Sequence, residues 1–77
     1  MEIDIKPHAI ERMARYNITE KEVIDCLENP DIINESNTKR MIYNKKLNGY
    51  VLRVIEESKE IKSVITTYKA GSGRYGI

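Results

Sequence analysis

The chain has 77 residues, 40% apolar and 32% charged, with a formal net charge of +1. That length suits one domain, spanning 1–77 with a flexible tail from about 71, and a domain so small buries only about 60% of its unfolded surface. No apolar stretch approaches the roughly 20 residues of a membrane span. Met1-Glu2-Ile3-Asp4-Ile5-Lys6 has neither region of a signal peptide, so a cytoplasmic protein without a membrane partner is expected. A single cysteine, Cys26, excludes an internal disulfide. With one histidine, His8, it also excludes a four-ligand zinc site, and no cofactor is expected.

Lys6-Pro7-His8 opens a first helix, since proline suits a first helical position, where its missing N–H would be unpaired anyway. On a helical wheel Ala9, Ile10, Met13, Ala14 and Tyr16 share one arc, the expected buried stripe, while His8, Arg12 and Arg15 form a narrow polar strip opposite. Asn17 ends that helix. Thr19-Glu20-Lys21-Glu22 is a capping box that starts the next one. Val23, Ile24 and Leu27 then line one face with Cys26 at its edge, and Asn29-Pro30 stops the helix.

From Ile32 the pattern turns to strands. Residues 39–47, 50–56 and 61–69 are rich in Ile, Val, Tyr and Thr, a shorter strand fits 31–35, and Glu57 to Glu60 reads as a charged turn. Asn48-Gly49 is a strong hairpin signal because both residues tolerate positive φ. The expected fold is α+β, with two N-terminal helices on one face of a three- to four-stranded antiparallel sheet. The hairpin register pairs Leu47 with Tyr50, Lys45 with Leu52, Tyr43 with Val54 and Ile42 with Ile55. Met41, Tyr43, Leu47, Tyr50, Leu52 and Val54 then seat the helices. Arg40, Asn44, Lys46 and Arg53 fall on the open face with Ile42, Val51 and Ile55. If the last strand pairs through a Ser58-Lys59 turn, Thr66 and Tyr68 join that open face.

Charge is unevenly spread. Residues 19–36 carry six acids against Lys21, whereas 37–55 carry Lys39, Arg40, Lys45, Lys46 and Arg53 with no acid. Such a dipolar domain can offer a basic face to phosphate, and an ordinary solvated surface is the alternative. His8 is the natural proton-transfer candidate, and Arg12 stands one helical turn away. RNA cleavage through the 2′-hydroxyl needs a proton shuttle and cations on the phosphorane, and it needs no metal. The same residues also suit a solvated helix strip. Tyr43, Tyr50, Tyr68 and Tyr75 invite base stacking, with Tyr43 and Tyr50 weighted to the core. Cys26 reads as an inert packing residue. Gly71-Ser72-Gly73 has no helix after it and reads as a chain end.

His8-Ala9-x-x-Arg12-Met13-x-Arg15, Ile18-Thr19-x-x-Glu22-Val23 and Asn29-Pro30 resemble the start of a small uncharacterised prokaryotic family. Arg40-x-Ile42-Tyr43, Tyr50-Val51-Leu52-Arg53-Val54 and Val64-Ile65-Thr66-Thr67-Tyr68 are similar to its sheet. That family is grouped with the BrnT- and RelE-type toxins and the wider barnase-, colicin- and RelE-like ribonuclease fold. The resemblance implies a metal-independent endoribonuclease of a toxin–antitoxin system. Its partners would be RNA (messenger, transfer or ribosome-associated) and a separately encoded antitoxin. His8, Arg12, Thr66 and Tyr68 are then the expected catalytic residues, with Arg15, Arg40, Lys46, Arg53, Lys69 and Arg74 contacting RNA. A non-catalytic RNA-binding module, or a small protein-interaction domain, is the alternative on the same fold.

Overall fold

The computed structural model describes residues 2–36, 39–58 and 61–71; Arg74 and Tyr75 lie outside them. The elements, in chain order, are β1 (Ile3–Ile5), α1 (Pro7–Tyr16), α2 (Glu20–Glu28), β2 (Ile32–Glu35), β3 (Arg40–Leu47), β4 (Tyr50–Ser58) and β5 (Lys62–Gly71). The local signals act as chemistry dictates. Pro7 occupies the first turn of α1, which ends where Asn17 turns left-handed at φ 56° and its N–H donates to Met13 O. At α2 the Glu22 N–H donates to Thr19 Oγ1 at 3.1 Å, and the Thr19 N–H donates to Glu22 Oε1 at 2.8 Å. That reciprocal pair holds the Glu22 carboxyl below the usual carboxylate range, the Thr19 backbone bond being the largest cause. At the other end, Lys45 Nζ donates to Asn29 O at 2.7 Å, placing a cation at the negative end of the α2 dipole.

The Asn48-Gly49 turn sets the expected register, with Gly49 at φ 84° and all four predicted β3–β4 pairs present. The sheet order is β1-β5-β4-β3-β2. Two helices on one face of an antiparallel-dominant sheet agree with the α+β expectation, but among the described residues the sheet has five strands rather than three or four. The addition is β1, which pairs parallel to β5 with Ile3 opposite Lys62 and Ile5 opposite Val64. Its two isoleucines are half-buried against the core, which stabilises a strand too short to stand alone.

The core lies between the helices and one sheet face. Ala9, Ile18, Val23, Cys26 and Leu27 from the helical layer meet Tyr43, Leu52, Val54 and Val64, each larger side chain contributing about 1.5–3 kcal/mol by burial. Two expectations need correcting. Cys26 is fully buried rather than at the edge of its helix. The stripe of α1 is narrower than the wheel suggested. Ala9 is buried and Met13 and Tyr16 pack on the core, whereas Ile10 is 56% exposed and Ala14 is exposed. A ten-residue helix resting on β5 touches it along one i, i+4, i+7 line, and Ile10 lies off that line.

The last strand reaches its expected face by an unexpected route. Ser58 pairs with Lys62, so Glu57 and Ser58 extend β4 instead of turning, and the register is offset by three residues from a Ser58-Lys59 turn. An odd offset alone would flip every side chain. A bulge between Ile55 and Glu56 skips Ile65 and restores the alternation, so Thr66 pairs with Ile55 and Tyr68 with Arg53 on the open face. β5 also runs through Gly71, where a flexible tail was expected to begin.

Candidate functional site

The predicted catalytic residues fall into two pairs on opposite sides of the sheet. His8 and Arg12 ride α1 in the helical layer, with Arg12 Nε donating to His8 Nε2 at 3.4 Å. Arg15, next along the strip, faces Glu11 at 3.5 Å. Thr66 and Tyr68 stand on the opposite face, where no helix packs among the described residues. The sheet itself separates the pairs, so the four do not share a cleft. Helical spacing joined His8 to Arg12 correctly, but nothing local could say which sheet face the helix would cover.

Across the open face runs a polar chain built from four strands. Asn44, fully buried on β3, donates through Nδ2 to Asn34 Oδ1 of β2 at 2.9 Å and to Ile32 O at 3.1 Å. Its Oδ1 accepts from Arg53 Nε of β4 at 2.8 Å, and Arg53 Nη1 donates to Tyr68 Oη of β5 at 2.6 Å. The guanidinium carbon also lies 5.6 Å from the Tyr68 ring centroid. Thr67 Oγ1 donates to Arg53 O at 2.7 Å, fixing the backbone beneath. Arg53 is therefore held in one orientation by partners on both neighbouring strands. A phenol that accepts from a guanidinium keeps its own O–H to give elsewhere.

The remaining cations sort by strand parity. Arg40 lies on the open face 3.5 Å from Glu57, and Lys46 is exposed on the same face. Lys69, expected to contact RNA, instead points to the helix side opposite Leu52, its Nζ 4.5 Å from the Tyr50 ring centroid. Lys45 is likewise on the helix side, occupied at the end of α2. Tyr43 is buried and Tyr50 half-buried, Tyr50 Oη donating to Glu22 Oε2 at 3.3 Å, in line with their core weighting. A small open cleft of about 110 Å³ lies between Lys6, Glu57, Ser63 and Ile65, and of these Glu57 is the ion-pair partner of Arg40. Among the described residues no three His, Cys, Asp or Glu side chains converge as a metal site would require, and no helix is long and apolar enough to cross a membrane.

Sequence reasoning missed Asn44, placing it on the open face without a role. Its side-chain partners Asn34 and Arg53 lie on the two neighbouring strands, and the one available signal was its position opposite Arg53 in the hairpin register.

Two helices on one sheet face, with a braced arginine–tyrosine pair on the other, define a helix-on-sheet α+β domain whose second sheet face carries no helix among the described residues. Residues 5–69 match the family described as a domain of unknown function (DUF4258), and the chain belongs to that family. Comparison with curated proteins and with solved structures yields no match to either.

Proposed function

We propose that this protein is a toxin-like, metal-independent endoribonuclease that takes RNA on the open face of its sheet. The observation that carries the reading is the Asn44–Arg53–Tyr68 chain, which holds a guanidinium beside an aromatic ring whose hydroxyl can still donate. A guanidinium fork suits phosphate, and an adjacent aromatic suits a stacked base. In the proposed step the 2′-oxygen attacks phosphorus and its proton passes to solvent. The bond to the 5′-oxygen breaks, and that oxygen takes the Tyr68 proton. Arg53 offsets the charge gathering on the phosphorane. Products are a 2′,3′-cyclic phosphate and a free 5′-hydroxyl. A protein of this kind is held in check by a separately encoded antitoxin in the cytoplasm.

A second reading, non-catalytic RNA binding on the same face, is favoured by one observation: the chain's single histidine lies across the sheet from the Arg53–Tyr68 pair. Incubation of purified protein with total RNA in EDTA tests both, beside Arg53→Ala and His8→Ala. Cyclic-phosphate ends that vanish in Arg53→Ala and persist in His8→Ala support the open-face enzyme. Binding without cleavage selects the second reading. Cleavage that depends on His8 and ignores Arg53 moves the site to α1 and overturns both.

A further inference from the structure

β2 (Ile32–Glu35) ends the strand order, and among the described residues it pairs with β3 alone. The Ser36 N–H donates to Arg40 O at 2.9 Å. Counting back by two from that bond, Asn34 and Ile32 turn their backbone groups toward β3, while Ile33 and Glu35 turn theirs outward. Ile33 also leaves 47% of its surface exposed. An edge of this sort is a template for one more strand, whose main chain supplies the hydrogen bonds and whose side chains meet Ile33 and its neighbours.

Charge decides what that strand is. From Glu28 to Ser36 the chain carries Glu28, Asp31 and Glu35 and not one cation. All three acids are exposed. A second copy aligned antiparallel about Ile33 would set Glu35 against Asp31 twice, another register sets Glu35 against itself, and in every register two acidic segments without a cation lie side by side. Like charges opposite one another destabilise a sheet. Self-pairing is therefore disfavoured, and the complement is an extended segment that alternates basic with apolar residues.

We infer that the outer edge of β2 is a docking site for a basic, extended peptide segment of a partner protein, which adds a sixth strand to the sheet. This site is independent of the RNA reading and stands or falls without it.

The test uses the full chain and a capped hexapeptide, Lys-Val-Lys-Val-Lys-Val, with Glu-Val-Glu-Val-Glu-Val as its counterpart. Residue-resolved amide hydrogen exchange locates the contact. The basic peptide is expected to slow exchange at the Ile33 and Glu35 amides at least tenfold, and the acidic one to leave them unchanged. Ile33→Pro removes an outward donor that β3 does not use, and is expected to abolish that protection. Glu35→Lys, a surface change that spares the fold should the proline not, is expected to weaken peptide binding at least tenfold. No slowing at these amides, slowing elsewhere, or equal binding to Glu35→Lys overturns the inference. So does slowing at the same amides that rises with protein concentration without peptide, since the occupant is then a second copy.

Discussion

Tyr68→Phe separates chemistry from recognition on the open face. The change deletes one oxygen and leaves the ring. What is lost is the 2.6 Å acceptor of Arg53 Nη1 and the proton that the hydroxyl can give. Arg53 keeps its 2.8 Å bond to Asn44 Oδ1, and its carbon keeps a ring 5.6 Å away. A hydrogen bond to a charged group is worth about 1.5–3 kcal/mol when buried, and this half-exposed one about 1 kcal/mol. In a domain of this size that lowers Tm by about 4–8 °C and leaves the protein folded. RNA affinity, resting on the guanidinium and the ring, should change by less than about threefold. Cleavage, if Tyr68 protonates the leaving oxygen, should fall about 10²- to 10⁴-fold. Time courses on a labelled RNA in EDTA, anisotropy titrations at the same salt and a thermal melt read the three quantities separately. A variant that cuts as fast as the parent refutes the proton-donor role. If affinity and cleavage fall together, the hydroxyl only positions Arg53.

Other outcomes follow from the same geometry. Of the cations in the acid-free stretch, Arg40, Lys46 and Arg53 share the open face while Lys45 does not, so RNA binding should weaken with a log–log salt slope of about −2, near −0.7 per single-strand phosphate contact; a slope near zero contradicts phosphate recognition. Thr19→Ala removes the acceptor of the Glu22 N–H and should cost about 1 kcal/mol in urea unfolding, and no change in midpoint would deny the cap its role. Glu22 has a lowered folded pKa, so its charge stabilises above the unfolded value, 4.5, and that contribution disappears as pH falls through the folded value. The stability gap between parent and Glu22→Gln should accordingly be wider at pH 7 than at acid pH, narrowing as pH falls below 4.5. Burial pushes the Cys26 thiol up to about 12, so at pH 8 it should resist iodoacetamide until the chain unfolds; rapid labelling of native protein would falsify the packed-thiol assignment.

What the sequence disclosed was local. The Thr19 box and the Asn48-Gly49 turn each span four residues or fewer, so the residues that make them also announce them. Strand β1 was hidden because three residues carry too little pattern, and its partner begins at Lys62. The face of Thr66 and Tyr68 was reached through a register that differs from the expected one at both the turn and the bulge, two departures whose parities cancel. Lys69 was grouped with the RNA-facing cations by charge, although alternation from Tyr68 sends it to the helices. The candidate residues, Asn44 apart, were named in the sequence, but their placement on the sheet was not. Arg53 and Tyr68 join across two strands, whereas His8 and Arg12 belong to a helix whose side of the sheet is settled by the core.

The parallel pairing of Ile3–Ile5 with β5 joins stretches of chain nearly sixty residues apart. The β3–β4 hairpin forms across two residues and β5 adds beside it, so the meander is assembled from near neighbours. β1 must instead meet Lys62 from residue 3, and the loop entropy of that closure is repaid only once β5 is in place. Because Lys6 N also donates to Val64 O, that closure anchors the start of α1 to β5. The N-terminal segment acts as a latch. Trimmed away, it would leave α1 resting on Ala9, Met13 and Tyr16, with a second open rim beside β5.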